Sequence, residues 1–552
     1  MSRAHPALPR LGAEFRAGQL SRREFLTRAT ALGAGAGLLG ALGLPRPASA
    51  QSAPKRRRGG TLRIQQDVRA LKDPRTADWP HIANVTRGWL EYLVEYRPDG
   101  SIRGMLLSDW EVNDDATEYL LTVRPGVLWS DGKAFTAEDV LRMFDYWCDG
   151  SVPGNVMSAS LSSLVDPETQ RLREGAVSLA PDGRLRVRPA RPDVTLMVAL
   201  ADYPAAVIPP GFDPETMLEA PVGTGPYRPE TIRTGEIAVL VRREGFEWWG
   251  EKVPGFGPAT LDRVEFIDLG SDPASWVAAI EEDRVDMLYE NVGRFIDAAT
   301  ELGWDSAEVQ TSATVVLRGN QEAKVGGRPL YADARLRRGL ALAIDNGICL
   351  ELGYGNRGEV AANHHVAPIQ PDYADIGPAR YNPSQGRALI VQSGKISVEH
   401  EVVTLDDGVA RRTGEAVVAL LLDAGIPARQ QVLPGSRFWA NWKAFPLSIT
   451  EWNHRPLGVQ TLTLAYRSNA VWNESAYANP AFDAALDEAR ALADAEERAE
   501  VMARLETMLV EDAVIVQPYW RSLFRHYRPG LVGAEMHPAF EIHLYQLGWA
   551  ED

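Results

Sequence analysis

Apolar and polar positions alternate first at Thr61-Leu62-Arg63-Ile64, which predicts an opening strand with one face buried. The apolar segment Trp89-Leu90-Glu91-Tyr92-Leu93-Val94-Glu95-Tyr96 ends at a Pro98-Asp99-Gly100 turn. Asp109–Val112 and Glu118–Val123, separated by Asn113-Asp114-Asp115, predict a hairpin of half-buried strands. Thr136 is placed to cap a helix, with Asp139 three residues on and Val140, Phe144 and Trp147 at helical spacing. Three further helices are predicted, over Ala334–Leu352, Thr413–Ala424 and Pro480–Glu511. The last has its only proline at the start, where a helix tolerates one. A short buried strand, Ala513-Val514-Ile515-Val516, follows it. The order has no strict strand–helix rhythm, no fixed repeat and no long low-complexity linker. It predicts a mixed α/β (α+β) protein whose lobes interleave along the chain.

Composition narrows the class. The chain has 552 residues, 45% hydrophobic and 24% charged, enough for large cores in two to four domains. The net charge is −16, and the first fifty residues carry seven arginines and two glutamates, so the rest is more acidic still. That argues against a nucleic-acid partner, whose phosphates need a basic footprint. Two cysteines, Cys148 and Cys349, cannot make a disulfide framework in a chain of this length, and are read as two separate buried thiols.

The opening segment reads as an address. Ser21-Arg22-Arg23-Glu24-Phe25-Leu26-Thr27 is a twin-arginine pattern, followed by a Gly/Ala-rich run from Ala29 to Leu44 and by Ala48-Ser49-Ala50. The run, about 16 residues, is short of the ~20 that span a bilayer. Cleavage after Ala50 and export to the periplasm are expected. Lys55-Arg56-Arg57-Arg58-Gly59-Gly60 is expected to be a basic, flexible, solvated lead-in.

Several motifs stand in a telling order. Gly104–Val112, Glu118-Tyr119 and Leu121–Val127 run without a gap into Trp129-Ser130-Asp131-Gly132-Lys133 and Ala134–Val140. Then come Pro221-Val222-Gly223-Thr224-Gly225-Pro226-Tyr227, Glu247-Trp248-Trp249-Gly250, Ala334–Asp345, Tyr381-Asn382-Pro383 and Tyr477–Asp483. Jointly they resemble the family 5 extracellular solute-binding proteins, the dipeptide, oligopeptide and nickel type, over essentially all of residues 59–552. The physics of the motifs is structural. Gly223 and Gly225 are expected to adopt backbone angles that a Cβ forbids, and the turn lacks the Lys-Ser/Thr of a phosphate loop. The resemblance implies a two-lobed periplasmic binding protein fold (type II, cluster C-like) with an inserted subdomain. Lobe I would be residues 51–310, with the insertion roughly at 105–220. Lobe II would be 311–512, with 513–552 returning to lobe I. It further implies ligand enclosure by hinge closure, no catalysis, no cofactor, and ABC permease subunits as partners of a monomer.

The resemblance also points to a pocket. In the family's peptide binders a segment like Glu451-Trp452-Asn453-His454-Arg455-Pro456 carries an aspartate for the peptide amine. Here Arg455 stands there, with His454 beside it. A guanidinium repels an ammonium but holds a carboxylate bidentately. The expected ligand is therefore acidic: opine-like, an amino-acid conjugate, an acidic sugar derivative or a blocked peptide. Two alternatives stay open, an internal ion pair for Arg455 and an amine contact from Glu451. Trp452, Trp439, Trp472 and Trp520 offer flat apolar faces and an N–H donor each. Asp67 and Val68 follow the opening strand, where relatives touch ligand.

Rival readings are weaker. Asn363-His364-His365 and His454 are the tempting metal ligands, but HExxH and CxxC spacings are lacking, and the pair reads as a surface loop. No GxSxG elbow marks a nucleophile, and Glu281-Glu282-Asp283 reads as a solvated helix face. A sensor presenting its solute to a chemoreceptor, or a nickel-chelate or haem carrier, would share the fold.

Overall fold

The strand Thr61–Gln65 buries Leu62 and Ile64 completely, and pairs in parallel with Arg263–Ile267 on one side and Met287–Leu288 on the other. Ile237–Arg242 and Tyr227–Arg233 extend this sheet antiparallel. The computed structural model describes residues 55–551 apart from positions 78, 407 and 471. The proposed export signal lies outside the described residues. The described residues divide into two units: 55–309 together with 523–551, and 310–522.

In the first unit the expected hairpin forms as Leu107–Val112 and Tyr119–Val123, paired antiparallel. Asn113 closes its turn by accepting from the backbone of Thr117 and Glu118 at 2.9 and 2.8 Å. The helix Ala137–Trp147 follows, with Asp139 accepting from the Thr136 backbone at 3.0 Å and Val140, Met143, Phe144 and Trp147 buried at helical spacing. Two family-like motifs meet here, since Ser130 N–H donates to the Gly223 carbonyl at 2.9 Å. A third serves the core. The Trp248 and Trp249 indoles donate to the buried Glu91 carboxyl at 2.8 and 2.6 Å, and burial raises that carboxyl to about 7.

The glycines of the 221–227 turn need a different explanation from the expected one. Gly223 and Gly225 are not among the glycines with positive φ. They are required by close approach instead: a Cβ on Gly223 would sit 1.9 Å from the Trp89 carbonyl oxygen, and one on Gly225 2.6 Å from that of Gly88. The basic lead-in is also corrected. Arg56 donates to the Tyr545 carbonyl at 2.7 Å and Arg57 N–H to that of Trp549 at 2.8 Å, so the segment is stitched to the C-terminal residues.

The second unit is built on the strands Ala428–Leu433, His400–Leu405 and Leu447–Trp452 and on residues 310–319 of the strand Asp305–Gly319, in that order. The first three run parallel, and Leu447–Trp452 is antiparallel to the last, pairing Thr314 with Trp452 and Gly319 with Leu447. Helices cover the sheet through Leu336, Leu340, Leu350, Val417 and Leu421, all buried against Val315 and Ile449. Two predicted helices are broken. Ala334–Leu352 is really Ala334–Ala343 and Asn346–Tyr354, restarted by the Asp345 carboxylate, which accepts from Gly347 and Ile348 N–H. Pro480–Glu511 is really Pro480–Ala491 and Ala495–Glu511, restarted by Asp494, which accepts from Glu496 and Glu497 N–H. In each case an internal aspartate competes for backbone donors and becomes an N-cap. The predicted 413–424 helix is longer, Gly408–Asp423. Cys148 and Cys349 are free and buried, each thiol pushed up to about 12 by burial.

Candidate functional site

The strand Leu447–Trp452 ends by delivering Trp452 to a polar anchor. Its indole N–H donates to Glu474 Oε1 at 2.9 Å, while Glu474 Oε2 accepts from Thr450 Oγ1 at 2.7 Å and pairs with Arg318 at 2.9 Å. Arg318 and Glu474 are both buried, so the pair is worth keeping only because each charge meets the other and further hydrogen bonds. The anchor fixes the Trp452 ring and consumes its donor. Only its ring edges and faces remain for contact.

Those rings form a chain. Trp452 meets Trp472 at 6.1 Å and His365 at 5.2 Å, both edge-on, and His365 stacks on Trp520 at 6.4 Å. His365 Nδ1 lies 2.7 Å from the Tyr466 hydroxyl. Burial, then the neighbouring His364 and Arg455, push the His365 imidazole down to about 3, so it is neutral. His365 and Asn363 are held at φ of 64° and 66°, a left-handed backbone that His and Asn adopt more readily than most other non-glycine residues. Asn363 is kept there by Gln517 N–H at 2.8 Å and Asn346 Nδ2 at 3.1 Å.

Arg455 is half-buried beside these rings. Its guanidinium lies 5.9 Å from the Trp472 centroid, and Nη1 donates to the His454 carbonyl at 3.1 Å. Among the described residues no carboxylate forms an ion pair with it. Its backbone is pinned: N–H donates to Ser312 Oγ at 3.1 Å, and the carbonyl accepts from Gln370 Nε2 at 2.8 Å. Glu451 does not supply a spare acid, for it is paired with Arg521 at 2.9 Å. The arrangement presents one cation, backed by an indole, with its position set by the surrounding main chain.

Of the residues singled out from the sequence, Arg455, Trp452, Trp472 and Trp520 gather around His365 in the second unit. His454 is buried beneath them. Its Nδ1 accepts from Ser312 N–H at 3.0 Å, which places the imidazole proton on Nε2 and makes the ring a support for Arg455. Trp439 stands apart: it is 42% exposed, and its ring neighbours are Phe438 and Trp442. Asp67 and Val68 belong to the first unit. Asp67 pairs with Arg69 at 3.1 Å, and Arg69 lies 4.5 Å from the Trp79 ring centre. The Val68 side chain is buried, and its N–H donates to Asp268 at 2.8 Å.

The histidine pair 364–365 is not on the surface as expected; both residues are 1% exposed. His364 Nδ1 lies 3.2 Å from Glu506 Oε2, and burial holds Glu506 up at about 10 and His364 down at about 4, so both are neutral. His365 was singled out only as a possible metal ligand, and Tyr466 and Glu474 were missed, because nothing in the local sequence shows that His365 meets Tyr466 a hundred residues on or that Glu474 anchors Trp452. A second titratable group, His537, Glu541 and His543, could in outline hold a metal. Its atoms are already spent: Glu541 pairs with Arg87 at 2.8 Å, and His537 uses one nitrogen on the Tyr96 carbonyl and the other on Ala539 N–H.

The family model for bacterial extracellular solute-binding proteins, family 5, middle region, matches residues 101–474. Heme-binding protein A of Haemophilus influenzae is 23% identical over 457 residues, covering 76% of this chain and 79% of that protein. The nickel-binding periplasmic protein of Escherichia coli is 27% identical over 316 residues, so the match spans only 55% of either chain. Among solved structures, the clavulanic acid biosynthesis oligopeptide binding protein 2 superposes with a TM-score of 0.77 at 21% identity, over 90% of this chain and 97% of that one. At that identity the likeness is one of fold. With the family model covering well over half of its length, the chain belongs to the family 5 bacterial extracellular solute-binding proteins.

Proposed function

We propose that this protein is the exported receptor of an ABC importer, handing to permease subunits a small solute that carries an acidic group. The observation that supports this most is Arg455: a half-buried guanidinium beside indole rings, with no carboxylate partner among the described residues. A planar five-donor cation on a fixed backbone suits a carboxylate, which it can grip with two parallel hydrogen bonds. Trp472 and Trp452 would flank the rest of the solute with apolar area. Opine-like compounds, amino-acid conjugates and acidic sugar derivatives fit this description. Export by the twin-arginine route and a monomeric state belong to the same reading.

The test is a thermal-shift screen of the purified chain against such compounds, each paired with its carboxamide. A solute that binds only the folded state stabilises it by about 2.7 kcal/mol at a hundredfold excess over its dissociation constant, and so raises the melting point. Acids are expected to stabilise the protein and their amides not. Arg455→Gln is expected to weaken the acids by about ten- to a hundredfold; unchanged affinity in that variant would remove the acid-binding role. The relatives named for haem and nickel give a second reading, a metal-chelate carrier, which predicts binding that depends on added metal.

A further inference from the structure

Beside its 221–227 turn the first unit carries two arginines that no carboxylate answers. Arg243 follows the strand Ile237–Arg242. Its N–H donates to the Pro226 carbonyl at 2.9 Å and its Nη2 to the Pro221 carbonyl at 2.5 Å. The guanidinium lies 5.9 Å from the Phe246 ring centre, and its Nε is buried without a hydrogen-bond partner among the described residues. Arg228 is its neighbour. Tyr227 and Arg242 are direct cross-strand partners, and the hydrogen bond from Arg243 to Pro226 carries the pairing one step further. Side chains alternate along a strand. With Tyr227 turned into the core, Arg228 and Arg243 share the opposite face as diagonal neighbours, within reach of two long side chains. Arg228 is exposed, and its guanidinium meets no hydrogen-bond or ion-pair partner among the described residues.

The neighbouring acids are already engaged. Glu230, two residues along the strand from Arg228, pairs with Arg263, which also holds Glu265. Asp262 pairs with Arg242. Burial, then the charge of Arg228, push the Arg243 guanidinium down to about 10, and no acid opposes them. Arg142, Arg337 and Arg525 are also lowered by burial, but each has an acid pulling the other way: Asp139, Asp512 and Glu535. Two guanidiniums side by side therefore repel, and the fold supplies nothing to offset it.

We propose that Arg228 and Arg243 form a binding site for a phosphate group, either free phosphate or a phosphate monoester. A phosphate monoester brings a charge of about −1.5 to −2 near neutral pH and three strong acceptor oxygens, which matches two uncompensated cations with forked donors. A carboxylate brings a single charge and would leave one cation unanswered. Arg243 is held in place through Nη2 on Pro221, and Arg228 is free to close over the anion from the solvent side. The site lies in the first unit, and Arg455 in the second, so it stands without the acidic-solute reading.

The test measures the thermal midpoint and calorimetric affinity of the full chain in inorganic phosphate, methyl phosphate and acetate, each against chloride at equal ionic strength. Arg228→Gln is the probe, since its side chain is exposed and the fold does not depend on it. Arg233→Gln is the control, on the same strand but paired with Glu236 at 2.7 Å. Both phosphates are expected to raise the midpoint of the parent, and acetate not. Arg228→Gln is expected to weaken both phosphates about tenfold or more, and Arg233→Gln to leave them unchanged. In chloride Arg228→Gln is expected to melt higher than the parent, because the repulsion on Arg243 is gone. Phosphatidylcholine vesicles with and without phosphatidic acid separate the two sources. Co-sedimentation that needs phosphatidic acid and Arg228 assigns the site to a headgroup; binding of the soluble phosphates without it assigns the site to free phosphate. If neither the soluble phosphates nor the vesicles bind, if acetate does as well as phosphate, or if Arg228→Gln binds phosphate like the parent, the site is wrong.

Discussion

Trp452 and Arg455 leave the same strand end, yet their polar groups are used differently. The Trp452 indole is committed to Glu474, in a cluster where Thr450 and Arg318 also bind that carboxylate. Trp452→Phe keeps a ring in place but removes one of the donors to a buried acid. It is expected to destabilise the second unit by about 1–3 kcal/mol, measured by denaturant unfolding, because an orphaned buried acceptor costs its full desolvation. A change within error would show that water replaces the indole N–H. Arg455 was legible from the sequence as a cation where an acid was expected. Its partners were not, since Ser312, Gln370 and Trp472 come from three segments brought together only by the fold. The histidine pair 364–365 was misread as a surface loop for a similar reason: a histidine in a loop with Asn and His beside it has no local sign of burial, and His364 lies against Glu506. Glu506 at about 10 is an uncharged acid across the neutral range. Its folded pKa is raised, so the stabilisation is fully present below about 4.5 and is lost as pH rises through the folded value. Glu506→Gln mimics the neutral form at every pH. It is expected to match the parent near pH 5 and to exceed it by about 1–3 kcal/mol at pH 8; a difference independent of pH would mean that Glu506 is ionised in the fold.

At the scale of elements, the strands and the hairpin of the first unit were plain in the two-residue alternation. The helices of the second unit were legible as helical but not as separate pieces. Asp345 and Asp494 sit inside good helical patterns, and a pattern of apolar spacing cannot tell a solvent-facing aspartate from one that turns back to cap. The 221–227 turn is the reverse case, its importance legible and its cause not. Gly223 is demanded by the Trp89 carbonyl, a contact invisible in the sequence, rather than by its own φ. The added methyl in Gly223→Ala meets rigid backbone and cannot be relieved by a side-chain shift. It is expected to cost about 3 kcal/mol or more in chemical unfolding, whereas Gly183→Asn, at a positive-φ turn with open space around it, is expected to cost well under 1 kcal/mol. Equal effects would mean that the turn moves away from Trp89 in solution.

For the molecule as a whole, buried histidines set the acid limit of stability. Burial lowers His81, His364, His400, His526 and His537 to about 4, and His365 to about 3, from an ordinary value of 6.5. Each is neutral in the fold and takes up a proton on unfolding once the pH drops below about 6.5. The unfolded state then binds more protons, so stability is present above that pH and is lost as the pH falls towards 4. Asp333 and Glu541, held at about 2 by Lys395 and Arg87 against the opposing effect of burial, add to the loss further down. Glu91 and Glu506 act in the opposite sense, favouring the fold at lower pH, but they are two groups against six. The thermal midpoint is therefore expected to peak near neutrality and to fall steeply between pH 6.5 and 4.5. Replacing His400 with Gln tests the cause. Its Nδ1 meets the Tyr331 hydroxyl at 3.0 Å, which an amide can still engage. The variant should lose part of the acid slope while changing little at pH 7.5. A midpoint flat from pH 6.5 to 4.5 in the unaltered protein would mean that these imidazoles are solvated enough to titrate in the fold.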